Sequence, residues 1–166
     1  MSTSSLIQYL QATDGAGATL GLTPSNRRVR ETFIASSTIT AGQWVALDFT
    51  VANSDGDKSL KVVPADGNAG AGAGITSLAS VVVGVALAGA AAGEKVEVVV
   101  RGLVDASVTE AGAGINVGDA LQISNTAGVA AITTGALVQS CGFLVDALAA
   151  AAGTATRTVY VRGWWS

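Results

Sequence analysis

Apolar and polar residues alternate over short stretches along much of this chain, the period of strands buried on one side. Val45, Leu47, Phe49 and Val51 fall on one face, with Trp44, Ala46, Asp48 and Thr50 on the other. Asn53-Ser-Asp55-Gly56-Asp57-Lys58 predicts a turn, because Asn and Asp side chains bond their own backbone and Gly accepts positive φ. Leu60–Val63 then returns as a hairpin partner that stops at Pro64, followed by a Gly-rich loop over 65–74. Strand signals recur at Thr32–Ile34, at Leu78–Leu87, and at Lys95–Arg101, where Val96, Val98 and Val100 alternate with Glu97, Val99 and Arg101. Residues 1–28 keep neither the strand nor the helix period. They read as an N-terminal arm of the kind that stays unstructured unless something ties it down.

The pattern repeats. Ile39-Thr-Ala-Gly42-Gln-Trp-Val45-Ala-Leu47 returns as Ile115-Asn-Val-Gly118-Asp-Ala-Leu121-Gln-Ile123. Gly84-Val-Ala-Leu87 leading through an Ala run to Gly93 and Val98-Val-Val-Arg101-Gly102 is echoed by Gly142–Gly153 and Val159-Tyr-Val-Arg162-Gly163. In the second copy, Leu121 and Ile123 predict a strand, Asn125–Gly128 a turn, and Val129–Ile132 its return; Phe143–Leu148 and Thr156–Arg162 complete the unit. Many short strands with Gly-rich turns predict an all-β barrel or sandwich. The division expected is an arm at 1–28 and one β domain at 29–166, with related units at about 39–102 and 115–163. The two units are expected to close one barrel together, since each alone would leave sheet edges exposed.

Composition narrows the function. Apolar residues make up 49% of the chain, but only three Phe, two Tyr and three Trp are among them, so the core is built mostly from small side chains. There is no histidine, which removes the commonest general base and transition-metal ligand. The single cysteine, Cys141, excludes an intrachain disulfide and reads as a small buried hydrophobe. Net charge is −3, which argues against nucleic-acid binding by the whole surface. Met1–Ser5 lacks the basic start of a secretory leader. The uncharged run Ile75–Gly93 has the length of a membrane span, yet its β-branched Val81–Val83 and the Asp146 of its repeat partner favour a buried strand, so no membrane partner is expected.

The motifs that invite chemistry have plainer readings. Gly15-Ala-Gly17, Gly70-Ala-Gly72-Ala-Gly74 and Gly112-Ala-Gly114 miss the spacing of a dinucleotide loop and open no helix. Asn53, Asp55 and Asp57 start like a calcium loop, but Lys58 stands where Gly is required and Pro64 where Glu is required. No acid–base pair or activated nucleophile stands out, so neither an enzyme nor a cofactor or metal site is expected. Two features remain. Arg27-Arg28-Val-Arg30 is either a solvated strand start or an anchor on an acidic partner. Trp164-Trp165 is either packing on the chain's own barrel or a subunit contact. Leu6 and Tyr9, in a short apolar piece of the arm, join them as candidate contact residues.

Ile39–Leu47, Val83–Gly102, Ile115–Ile123 and Gly142–Ala150 together resemble the capsid decoration (cement) proteins of tailed bacteriophages, over residues 29–163. The resemblance implies a small β-barrel or β-tulip-like domain with an N-terminal arm. It further implies a structural virion protein, made in the host cytoplasm, that sits on the outer capsid surface and bridges major capsid protein subunits. Such proteins often act as homotrimers; a dimer is the alternative. The longer first hairpin and the 65–74 loop depart from the family pattern, and the Trp-Trp end has no place in it. A carbohydrate-binding or adhesin-like β-module is the other reading, with Trp44, Tyr160 and the terminal tryptophans as its exposed aromatics.

Overall fold

Short strands with weakly apolar faces need both edges paired and at least one face covered. The computed structural model describes residues 28–50, 60–67, 81–110, 112, 114–132, 140–150 and 152–162. The elements there are nine strands: β1 (Val29–Ala35), β2 (Trp44–Leu47), β3 (Lys61–Pro64), β4 (Val82–Ala86), β5 (Lys95–Thr109), β6 (Ala120–Ile123), β7 (Ala130–Ile132), β8 (Gly142–Leu144) and β9 (Thr154–Val161). The chain is thus the all-β barrel protein of two related units that its sequence predicts. The predicted arm, the turn at 53–58 and most of the 65–74 loop lie outside the described residues.

The manner of closure differs from the expectation. In the first unit β1 pairs parallel with β3, and β3–β2, β2–β4, β4–β5 and β5–β1 pair antiparallel, completing a five-stranded ring. In the second, β5 pairs parallel with β7, and β7–β6, β6–β8, β8–β9 and β9–β5 pair antiparallel, completing another. Even the isolated bridges correspond, Ile39 with Ala90 and Ile115 with Leu148. Each unit therefore closes on itself, and the two rings share β5. The strand predicted from sequence ends at Arg101 and Leu103–Thr109 has no predicted element, which leaves the second ring one strand short of closure.

Strand β5 changes partner at its middle. Val29 pairs with Arg101 in the first ring, and Gly102 pairs with Val161 in the second. Gly102 has φ of 113°, a conformation that L side chains rarely adopt, so the handover falls where the backbone can turn. A second glycine constraint repeats in the two rings. Gly84 lies opposite Val45 and Gly142 opposite Leu121, and a Cβ at either would collide with a backbone carbonyl, of Val99 or Tyr160 respectively.

Two apolar clusters result. The first ring encloses Phe33, Ile39, Val45, Leu47, Val62, Val96, Val98 and Val100. The second cluster joins Ile115, Leu121, Leu144, Leu148, Val159 and Val161 to residues on the other face of the first unit's strands, namely Trp44, Ala46, Val85 and Val99. Alternation put Trp44 and Ala46 on the face opposite Val45 and Leu47, and that face turns out to be buried as well, because the second unit covers it. The Trp44 indole N–H donates to the Ser107 carbonyl at 3.2 Å, and its ring lies where a Cβ on Gly142 would meet it. Backbone bonds lace the same seam: Trp44 N–H to Gly128 O, Gly128 N–H to Ala65 O, and Gly67 N–H to Ser124 O.

Phe49, expected on the core face, is 39% exposed. Strand β2 ends at Leu47, and the Asp48 carboxylate then accepts from both the N–H and the hydroxyl of Thr50, turning the chain before Phe49 can continue the alternation.

Trp44 is the largest fully buried side chain among the described residues and binds the two rings together. Trp44→Ala should cost about 3–5 kcal/mol in denaturant unfolding, the range for deleting a buried aromatic side chain. A loss below about 1 kcal/mol would show that the seam is held by the backbone bonds alone.

Candidate functional site

The arginines of the described residues are unevenly distributed. Arg30, on β1, is paired with Glu97 of β5 at 3.5 Å, both side chains being about half exposed. Such a pair contributes little to stability, on the order of 0–1 kcal/mol. Arg28, just before β1, is half-buried and lines an open groove of about 590 Å³ between the two units. Leu87 and Ala86 from the end of β4 and Leu103 from β5 give this groove an apolar lining. Asp105 and Thr158 form part of its wall, with the Thr158 hydroxyl donating to the Asp105 carboxylate at 3.0 Å.

Of the residues singled out from sequence, Arg28 and Arg30 thus come to the junction of the rings. Arg27, Leu6, Tyr9, Trp164 and Trp165 lie outside the described residues. The structure adds Arg101 and Arg162, which the sequence reading did not select. They are exposed and adjoin the two members of the Gly102–Val161 pair, where β9 ends and β1 begins along β5. A signal for them existed: both stand before Gly in the repeated Val-x-Val-Arg-Gly run.

The remaining polar groups hold turns. Glu94 accepts from the Ala91 N–H at 2.8 Å, Asp119 from the Asn116 N–H at 2.8 Å, and the Gln43 side chain from the Thr40 N–H at 2.8 Å. Glu110 receives the N–H groups of Gly112, Gly114 and Gly153. Cys141 is buried, its Sγ 3.2 Å from the Leu121 carbonyl, and burial pushes the thiol well up, which keeps it un-ionised and unreactive. Among the described residues no group of three His, Cys, Asp or Glu could hold a metal ion, and no helix is long and apolar enough to cross a membrane. Trp44 is fully buried and therefore offers no sugar platform; Tyr160 is partly exposed.

Asp48 is the buried acid of the described residues and sits at the base of the unrepeated hairpin. Burial raises its pKa, but the Thr50 hydroxyl, the Thr50 N–H and the charge of Lys61 together outweigh that and hold it below the usual 3.8. Close to it in the chain, Phe49 is exposed, as is Leu60, which precedes β3.

Two shared-strand rings, polar groups committed to turns and a basic junction define a scaffold that presents surface. The chain belongs to the phage cement protein family, whose model matches residues 23–163. As a member it is a structural phage protein that associates with the capsid. Among solved structures it is similar to the N base of head fiber gp8.5 in bacteriophage phi29, with 21% identity over 81% of this chain and 93% of that chain and a TM-score of 0.48. No curated protein matches the chain.

The lowered pKa of Asp48 has a definite consequence for acid stability. The unfolded chain binds a proton near pH 3.8 while the folded chain still resists it, so this contribution is complete above 3.8 and is lost as pH falls through the lower folded value. Asp48→Asn should cost about 1 kcal/mol at neutral pH, and the gap to wild type should narrow below the ordinary carboxylate range in a pH series of unfolding curves. A gap constant down to acid pH would mean that the charge on Asp48 contributes nothing.

Proposed function

We propose that this protein cements a phage head by binding its outer surface and bridging neighbouring major capsid protein subunits, as a homotrimer. The observation that carries this reading is the position of Arg28 and Arg30. They stand at the start of β1, where residues 1–27 join the barrels, and at the seam between the rings, on a chain whose net charge is −3. A basic site on an otherwise acidic surface favours one orientation against an acidic partner and suppresses the others. Self-closed rings leave the module rigid, so contacts made by its surface and by the arm hold the capsid subunits at a set separation. Several such contacts on one oligomer would raise avidity far above that of each alone.

The test uses the full-length protein and expanded, emptied heads. Sizing of the protein alone reads the oligomer, and co-sedimentation reads attachment. A trimer that co-sediments and raises the resistance of heads to disruption is expected. Deleting residues 2–26 should weaken attachment at least about tenfold, through lost multivalency and lost contacts. Full-length protein that stays in the supernatant would overturn the proposal, and equal binding by the deleted chain would remove the arm from it.

A further inference from the structure

We propose that the junction of the two rings is a composite docking site for an extended, carboxylate-bearing segment of the capsid surface. The proposal rests on the cement reading above and names the chemistry of the partner. Four of the five arginines among the described residues meet there, from three separate stretches of chain: Arg28 and Arg30 before and in β1, Arg101 in β5, and Arg162 after β9. The register brings them together. Val29 pairs with Arg101, Arg30 with Val99, and Gly102 with Val161, so the start of β1 and the end of β9 abut along one edge of β5.

Three acids, Glu97, Asp105 and Glu31, lie near these four arginines and offset part of their charge. Glu97 is engaged by Arg30, Asp105 holds the Thr158 hydroxyl, and Glu31 is exposed on β1. The guanidinium groups of Arg101 and Arg162 have no ion pair or hydrogen bond among the described residues. Concentrating like charges costs self-repulsion, which a partner's carboxylates would relieve, and the guanidinium fork matches a carboxylate in two parallel bonds.

The groove gives the second half of the argument. Its lining joins Arg28 to the apolar Leu87 and Leu103 and to the polar Asp105, Thr156 and Thr158, so an incoming segment finds one cation, apolar surface and hydroxyl groups there. Val29, 50% exposed, and Tyr160, 37% exposed, stand beside the same ladder positions and extend the contact with apolar surface. Arginines beside a partly apolar groove suit a peptide that carries its acids on the arginine side, away from Asp105, and small apolar residues towards Leu87 and Leu103. They suit duplex DNA poorly, because the rest of the chain is acidic and would repel a polyanion.

The experiment compares wild type, the double variant Arg101→Gln with Arg162→Gln, and Lys95→Gln. Lys95 is exposed at the far end of the first half of β5 and controls for a change of charge alone. Binding to emptied expanded heads is measured over a salt series from about 50 to 300 mM, where exposed charge pairs are progressively screened. The double variant should bind about ten- to a hundredfold more weakly at low salt and lose most of its salt dependence, while Lys95→Gln binds like wild type. In parallel, each isolated protein, its fold checked by thermal melting, is titrated with a short poly-glutamate peptide and with duplex DNA. Wild type should bind the peptide, and the double variant should not. Heads bound equally by wild type and double variant would overturn this inference and leave the cement reading standing. Wild type that binds no heads would overturn both, and tighter binding of duplex than of peptide would replace the acidic segment by nucleic acid.

Discussion

Strand β5 carries the hydrogen bonds of both rings, and the rest of the architecture depends on it. Its first half pairs with β1 and its second half with β9, so neither ring closes without it. A shared strand also brings the outer side of one ring against the other, which is why Trp44, on the face of β2 turned away from the first core, is fully buried. The indole N–H bond to Ser107, itself in β5, ties that burial back to the shared strand. Backbone pairing and apolar packing therefore act on the same seam, and a change at either weakens both.

This solves a problem set by composition. Val and Ala give little burial energy per residue, and a ring of short strands filled with them alone would be marginal. A second ring set against the outer face of the first adds a second apolar layer without larger side chains. The equivalent glycines, Gly84 and Gly142, allow the close backbone approach that such small rings require. The outcome is a rigid body whose polar side chains are mostly engaged in turns, so its surface is free to be specialised for attachment. The basic junction is where that specialisation is most evident, because it gathers charge that the repeat supplies from separate places.

Much of the plan was legible in the chain. Alternation at Val45 and Leu47 and at Val96, Val98 and Val100 located true core positions, and the repeat of Ile39–Leu47 in Ile115–Ile123 identified two related units. The buried, inert Cys141 was legible from its apolar surroundings. The first strand of the second unit was not, because Gly102 looks like a terminator in sequence while in space it is the point at which one strand passes between two partners. Phe49 was misplaced for a local reason: period-two counting does not register that Asp48 can capture Thr50 and end the strand.

The amino-acid order by itself determined the strand period, the duplication and the lack of histidine, because these depend on neighbouring residues and on composition. Three things were decided only by the tertiary structure. The rings close separately, Trp44 faces a core on the side where counting put solvent, and Arg101 and Arg162 join Arg28 and Arg30. Each depends on which strand edges meet. Strand pairing links residues far apart in the chain, and the energy that selects one pairing over another is summed across both partners, so it cannot be read from either stretch alone.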